Sequence, residues 1–259
     1  MLALANDAAD AAARVIRAAE PRRASLNWQE KSAVDFVTEV DIEAEAAAIE
    51  VIRRAEPGAA ILAEESGASN PLALQPSSPL TFVLDPLDGT TNFLHGFPAY
   101  AVSLGVLLDG VLTAGVVFDV ARNERFTAVA GGGAWLGDER ISVSRISSPQ
   151  RALIGTGFPF KVPDEIPRYL AQFQRVMAAA SGVRRPGSAS IDLAHVACGR
   201  FDAFWEISLA PWDVAAGILL IREAGGIVTD MDGAEKQVAS GSTIAGNPAM
   251  HAWLVSRLR

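Results

Sequence analysis

The sequence is poor in cysteine: among 259 residues there is one, Cys198. No disulfide can form within the chain, which excludes a disulfide-stapled secreted scaffold and fits a reducing cytoplasm. Cys198 lies in the apolar helical run L-A-H-V-A-C-G, where a thiol reads as a small buried hydrophobe and not as a nucleophile. Positive charge is short as well. Lys and Arg number 22 against 30 Asp and Glu, for a net charge of −8, so bulk charge gives no support to nucleic acid as a partner. No uncharged apolar run approaches the length that spans a bilayer, and no membrane partner is expected. The N-terminus M-L-A-L-A-N-D-A-A-D has no basic stretch, and Asp7 and Asp10 interrupt its apolar residues, so it is not read as a signal peptide. Histidine is scarce too, at three. His195 and His251 fall in helical segments and read as structural, and His95 reads as a loop or packing residue.

What is present is an ordinary globular mixture, half apolar and one fifth charged. The length supports one sizeable core, split at most into two lobes, here 1–150 and 151–259. Residues 2–19 suit a helix with Leu4, Ala8, Ala11, Val15 and Ala18 on one face, ended by Pro21. A short strand at Val34–Val37 leads to Thr38-Glu-Val-Asp41, a capping box with Asp in the reciprocal position. The helix it opens carries Ile42, Ala46, Ile49 and Ile52 toward a core. Ala60–Ala63 reads as a strand ending at Glu64-Glu65, and Ser66–Pro79 as a surface loop. From Tyr100 to Val143 the pattern is β-hairpins, the clearest around Asp109-Gly110. Beyond Arg151, strands and helices alternate irregularly. The fold class expected is α/β of the α+β type, layered, with mixed or antiparallel sheets in preference to a doubly wound parallel sheet.

Residues Val83–Phe93 read V-L-D-P-L-D-G-T-T-N-F. An apolar strand runs into two aspartates three apart, then a glycine and two threonines. Carboxylate oxygens suit hard divalent cations, and backbone N–H groups at a glycine turn suit phosphate. Glu64, Asp85, Asp88 and Asp213 each end an apolar strand or begin a helix. Gathering such groups in one buried place is costly unless cations neutralise them. Each alone also reads as a cap or turn residue.

D85-P-L-D-G-T-T-N-F93 resembles the first signature of the inositol monophosphatase family, and W212-D-V-A-A-G217 with E223-A-G-G226 resembles the second. Glu64-Glu65-Ser66 is similar to the family's upstream acidic step, with Ala63 where Gly is usual, and K31-S-A-V-D-F-V-T-E-V-D41 to its N-terminal element. The resemblance runs from about residue 30 to 250. It implies an α-β-α-β-α sandwich of the sugar-phosphatase kind, and hydrolysis of a phosphomonoester by metal-activated water attacking in line. Two or three Mg²⁺ ions would be held by Glu64, Asp85, the Leu87 carbonyl, Asp88 and Asp213. Gly89 and Thr90 would present N–H groups to phosphate, Thr90 with Asp41 would orient the water, and Lys31 would mark a catalytic loop. Without a histidine acid, the leaving group would be protonated by water held near Asp213.

For the substrate, Gly187, Ser188, Ala189 and Glu206 fall where the family contacts polyol hydroxyls, along with Asp88 and Asp213. The segments G155-T-G-F-P-F160 and R184-R-P-G-S-A-S-I-D-L193 most resemble the bacterial inositol-1-monophosphatase branch, so myo-inositol 1-phosphate is the expected ester. Histidinol phosphate, fructose 1,6-bisphosphate and, ranked lower, nucleotide 3′-phosphates are the alternatives. That branch includes a member acting in ribosomal RNA antitermination, which makes the transcription machinery a competing partner. Lithium inhibition and a homodimer are also implied, with the apolar hairpin Tyr100–Phe118 taken as the interface.

Overall fold

Two alanine-rich helices form the first layer. In the computed structural model, which describes residues 1–26, 28–32, 35–67 and 78–259 (29–32, 35 and 36 by backbone only), α1 (Leu2–Ala19) buries Ala5, Ala9, Ala12, Ile16 and Ala19. Helix α2 (Glu39–Ala55) meets it with Val40, Ala44, Ala48 and Ile52, small side chains at a spacing of four that permit close helix contact. The core stripe of α2 is therefore rotated from the one expected. Ile42 is 51% exposed and Ala46 is exposed also. The capping box fixes the start of the helix so that Asp41 and Glu45 turn inward beside Val40 and Ala44. In α1, Ala8 and Ala11 are buried as expected, whereas Ala18 is exposed. Before α2, β1 (Gln29–Ser32) and β2 (Asp35–Val37) form an antiparallel ribbon.

The second layer is a seven-stranded sheet in chain order: β3 (Ala60–Ala63), β4 (Leu80–Asp88), β5 (Ala101–Leu108), β6 (Val111–Asp119), β7 (Glu124–Val129), β8 (Gly133–Leu136) and β9 (Glu139–Ile141). Only the β3–β4 pair is parallel. Short helices α3 (Glu64–Gly67) and α4 (Thr90–His95) follow directly on β3 and β4. Asp109 and Gly110 both take positive φ, at 51° and 78°, the geometry that a two-residue hairpin turn needs. The expected loop Ser66–Pro79 lies largely outside the described residues, at 68–77.

A five-stranded mixed sheet makes the fourth layer. Its strands are β10 (Leu153–Thr156), β11 (Gly182–Arg184), β12 (Ala203–Leu209), β13 (Ile227–Thr229) and β14 (Gly241–Gly246), in the order β11-β10-β12-β14-β13. Helices α6 (Ala189–Ala197) and α7 (Pro211–Glu223) are sandwiched between the sheets, while α5 (Ile166–Met177) and α8 (Pro248–Leu258) cover the outer face. The architecture is thus α-β-α-β-α, as expected. Helix α7 lies very close to the large sheet: a Cβ on Gly105 would fall 2.6 Å from Ala215 Cβ, and one on Gly115 3.1 Å from Ala216 Cα. Small residues on both sides make this approach sterically allowed.

The Tyr100–Phe118 hairpin is not the surface it was expected to be. β5 and β6 are interior strands covered on both faces by helices, and only the tip from Leu108 to Val111 is exposed. Its apolar character serves the core. Among the described residues, no helix is long and apolar enough to cross a membrane.

Candidate active site

Ala63 pairs with Leu84 across the parallel strands β3 and β4. Glu64, the first residue past β3, and Asp85, still within β4, are therefore brought side by side. The β4–β5 pairing then shifts register between Asp85 and Asp88. Pro86 lies within this step and has no N–H for the ladder. Asp85 is 1% exposed, and its Oδ1 accepts from Leu87 N at 3.0 Å. Asp88 is anchored from the middle layer: its Oδ2 accepts from Ser188 Oγ (2.7 Å), Ser190 N (2.7 Å) and Ser190 Oγ (2.5 Å). Asp213 sits in the first turn of α7, with Oδ2 accepting from Ala210 N at 2.7 Å. These groups line a cleft of about 550 Å³. The caps of α4, α6 and α7, namely Gly89, Ser188 and Ala210, line it also. Three helix starts thus bring partial positive charge to an acidic cleft.

Burial raises the pKa of Asp85 and Asp213, and repulsion from the neighbouring carboxylates adds to it. Burial pushes Asp85 well above the usual carboxylate range, and repulsion from Glu64, Asp88 and Asp213 adds to it, against the Leu87 N–H. Burial, then Asp88 and Glu64, pushes Asp213 up to about 8, opposed by Ala210 N–H and Lys161. Glu206 also rises to about 8, first from burial and then from Asp213, with Arg185 and Lys161 opposing. Four carboxylates with hard oxygen donors, repelling one another beside a free cleft, fit a divalent cation such as Mg²⁺ and do not fit a soft thiophilic metal. A tighter triplet lies elsewhere: Asp119, Glu124 and His195 bring one ligand atom each within 4.8 Å of one another. That triplet is already neutralised, with Arg122 on Asp119 and Arg200 on Glu124.

Thr90 Oγ1 donates to Asp41 Oδ1 at 2.7 Å and lies 3.1 Å from the Leu87 carbonyl. The shorter, charge-assisted bond takes its one proton. Asp41 is 1% exposed and held by Thr38, whose N and Oγ1 donate to Oδ2 at 2.9 and 2.6 Å. The capping box of α2 therefore doubles as the mount for Thr90. Gly89 has φ 94°, and a Cβ there would fall 2.7 Å from Ala99 O, so the turn requires glycine. Gly187, Ser188, Ala189 and Glu206 line the same cleft, although the Ser188 hydroxyl is committed to Asp88. Lys31 lies on β1, and its side chain is outside the described residues. His95, at the end of α4, packs edge-on against Trp28 at 5.3 Å between ring centroids.

Sequence reasoning missed several cleft residues. Ser190 anchors Asp88, and Asn92 Nδ2 ties Ala99 O (2.7 Å) to Pro186 O (2.8 Å) across the cleft wall. Lys161 and Asp192 line the cleft. Asp192 stands four residues after Ser188, one helical turn, which is the signal that could have placed it.

A model of the inositol monophosphatase family matches residues 1–259. The chain is 44% identical over 249 residues to "Nus factor SuhB" of Pseudomonas aeruginosa, covering 95% of this chain and 91% of that one. It is 43% identical over 225 residues to an inositol-1-monophosphatase of Mesorhizobium japonicum, covering 87% and 83%. The crystal structure of the extragenic suppressor protein suhB from Bartonella henselae superposes with a TM-score of 0.92 at 39% identity, covering 99% and 97%. The whole-length match and these relatives establish that the chain belongs to the inositol monophosphatase family and is a phosphatase of that superfamily.

Proposed function

We propose that this chain hydrolyses phosphomonoesters of small polyols with Mg²⁺, and that myo-inositol 1-phosphate is the preferred ester. The observation that carries the reading is the mutual repulsion of buried carboxylates beside a Thr90–Asp41 pair in one cleft. Glu64, Asp85, Asp88, Asp213 and the Leu87 carbonyl would hold the metal. Mg²⁺ bound there supplies Lewis acidity, neutralising phosphoryl charge and making water acidic enough to react near neutral pH.

The chain's own groups do the rest. Asp88 has one oxygen saturated by Ser188 and Ser190, which leaves Oδ1 for the cleft. Thr90, its proton committed to Asp41, turns lone pairs outward and can accept from the attacking water, orienting it toward phosphorus. Backbone N–H groups of Gly89 and Thr90 receive phosphate oxygens. Glu206 and the backbone of Gly187, Ser188 and Ala189 receive the polyol. The same family membership supports lithium inhibition and a cytoplasmic homodimer.

A second reading rests on the relatives named as Nus factors: a role with the transcription machinery that coexists with, or replaces, hydrolysis. One experiment separates them. Phosphate release is measured with and without Mg²⁺ on inositol 1-phosphate, histidinol phosphate, fructose 1,6-bisphosphate and adenosine 3′,5′-bisphosphate, for wild type and Asp88→Asn. Mg²⁺-dependent preference for inositol 1-phosphate, lost in the variant, supports the enzyme. No release from any ester by folded protein moves the function to the binding role.

A further inference from the structure

One acidic group in the cleft has no part in the metal cage. Asp192 on α6 is 1% exposed and lines the cleft wall. Its Oδ1 is sealed from solvent and has no hydrogen-bond partner among the described residues. Buried polar atoms are nearly always satisfied, so an orphan acceptor at a cleft wall marks a place for a donor that arrives with the ligand. The charges acting on it are Glu206, Asp88 and the guanidinium of Arg185. Arg185 is held over the rings of Phe158 and Phe160, at 5.2 and 5.3 Å from their centroids. The Glu206 carboxyl lies against Gly157, where a Cβ would fall 2.0 Å from its Oε2.

Two carboxyl groups near enough to act on one another therefore line the same cleft. Adjacent hydroxyls of a polyol are two donors that need two acceptors. A ligand lacking those hydroxyls would leave both acceptors buried and unpaired, the arrangement that gives a site strong discrimination. We propose that Asp192 is a specificity-determining residue, receiving one hydroxyl of the polyol next to the hydroxyl received by Glu206. A change of its χ1 rotamer, which moves the whole carboxyl, presents it to the ligand. The inference rests on the polyol phosphatase reading and extends it.

The test uses the full chain with Mg²⁺ and two esters, myo-inositol 1-phosphate and hydroxyl-free 4-nitrophenyl phosphate. The readout is the ratio of their kcat/KM values in wild type, Asp192→Asn and Asp192→Ala. Loss of the acceptor predicts a fall in that ratio of at least about tenfold in Asp192→Ala, through KM for the inositol ester, and a smaller fall in Asp192→Asn, whose amide oxygen still accepts. The thermal midpoint of Asp192→Ala should not fall, because it removes an orphaned buried carboxyl. Equal losses on both esters with a lowered midpoint would show a structural role and overturn the inference. If wild type shows no preference for the inositol ester, the polyol reading fails and the inference with it. If wild type prefers it and both variants keep that preference, the inference alone fails.

Discussion

Asp213 can be tested through stability, without any substrate. Burial together with Asp88 and Glu64 moves its carboxyl from 3.8 to about 8 in the folded chain. Unfolded, it returns to its ordinary value. The folded state thus binds the proton more tightly, and metal-free stability falls as pH rises between those two values. For this one group the loss from pH 5 to pH 8 is on the order of 4 kcal/mol. Part of the loss is repulsion shared with Asp85, so neutralising Asp213 should recover about half, roughly 2 kcal/mol. Asp213→Asn keeps the acceptor for Ala210 N–H, so the start of α7 is preserved. The assay is urea unfolding in EDTA at pH 5 and pH 8. The variant should be the more stable protein at pH 8, with the advantage shrinking toward pH 5. Added Mg²⁺ should then stabilise wild type and do little for the variant. A variant less stable than wild type at pH 8 in EDTA, or equal Mg²⁺ stabilisation of both, would refute the reasoning.

Thr90→Val removes the hydroxyl that donates to Asp41 at 2.7 Å while keeping the shape. Steady-state phosphate release should show kcat down by about 10²–10³ with KM little changed, and Thr90→Ser should recover most of it; normal turnover in the valine variant would remove Thr90 from the chemistry. His195 tests the core between the sheets. Burial, then Arg200 and Arg122, lowers its pKa from 6.5 to about 4. Arg200 Nη1 lies 3.3 Å from its Nε2 and can only donate, so the imidazole is neutral with its proton on Nδ1. Its contribution is complete above pH 6.5 and is lost as pH falls toward 4, by up to about 3 kcal/mol. Unfolding free energies of wild type and His195→Gln from pH 4 to 7 should converge toward the acid end; parallel curves would show that the histidine does not titrate in this range.

Motif and spacing made the acidic residues legible because the segments around them are apolar. A carboxylate at the end of V-L-D or A-I-L-A-E has nowhere to go but the edge of a buried strand. Alternation and turn chemistry located the hairpins, and Asp109-Gly110 took the positive φ values that pair requires. The phase of α2 was not legible, because apolarity was read from isoleucines, whereas the helix contact uses the smaller Ala44 and Ala48. The Tyr100–Phe118 hairpin misled for a related reason: apolar residues on both faces fit an interior strand as well as an interface. Asp192 and Ser190 were passed over because nothing in S-A-S-I-D says which side chains turn back toward a site until α6 is packed between the sheets.

The setting of α7 against Gly105 and Gly115 also has a meaning in time. A ribosome delivers Glu64, Asp85 and Asp88 more than a hundred residues before Asp213. During that interval the large sheet has one face covered by α1 and α2, while the face that receives α6 and α7 is bare. Divalent affinity should therefore arrive late in synthesis, as the helix carrying Asp213 seats on its glycine track. A nascent chain stalled before that point would carry three unneutralised acids beside an uncovered apolar surface, and would be a natural client for chaperones.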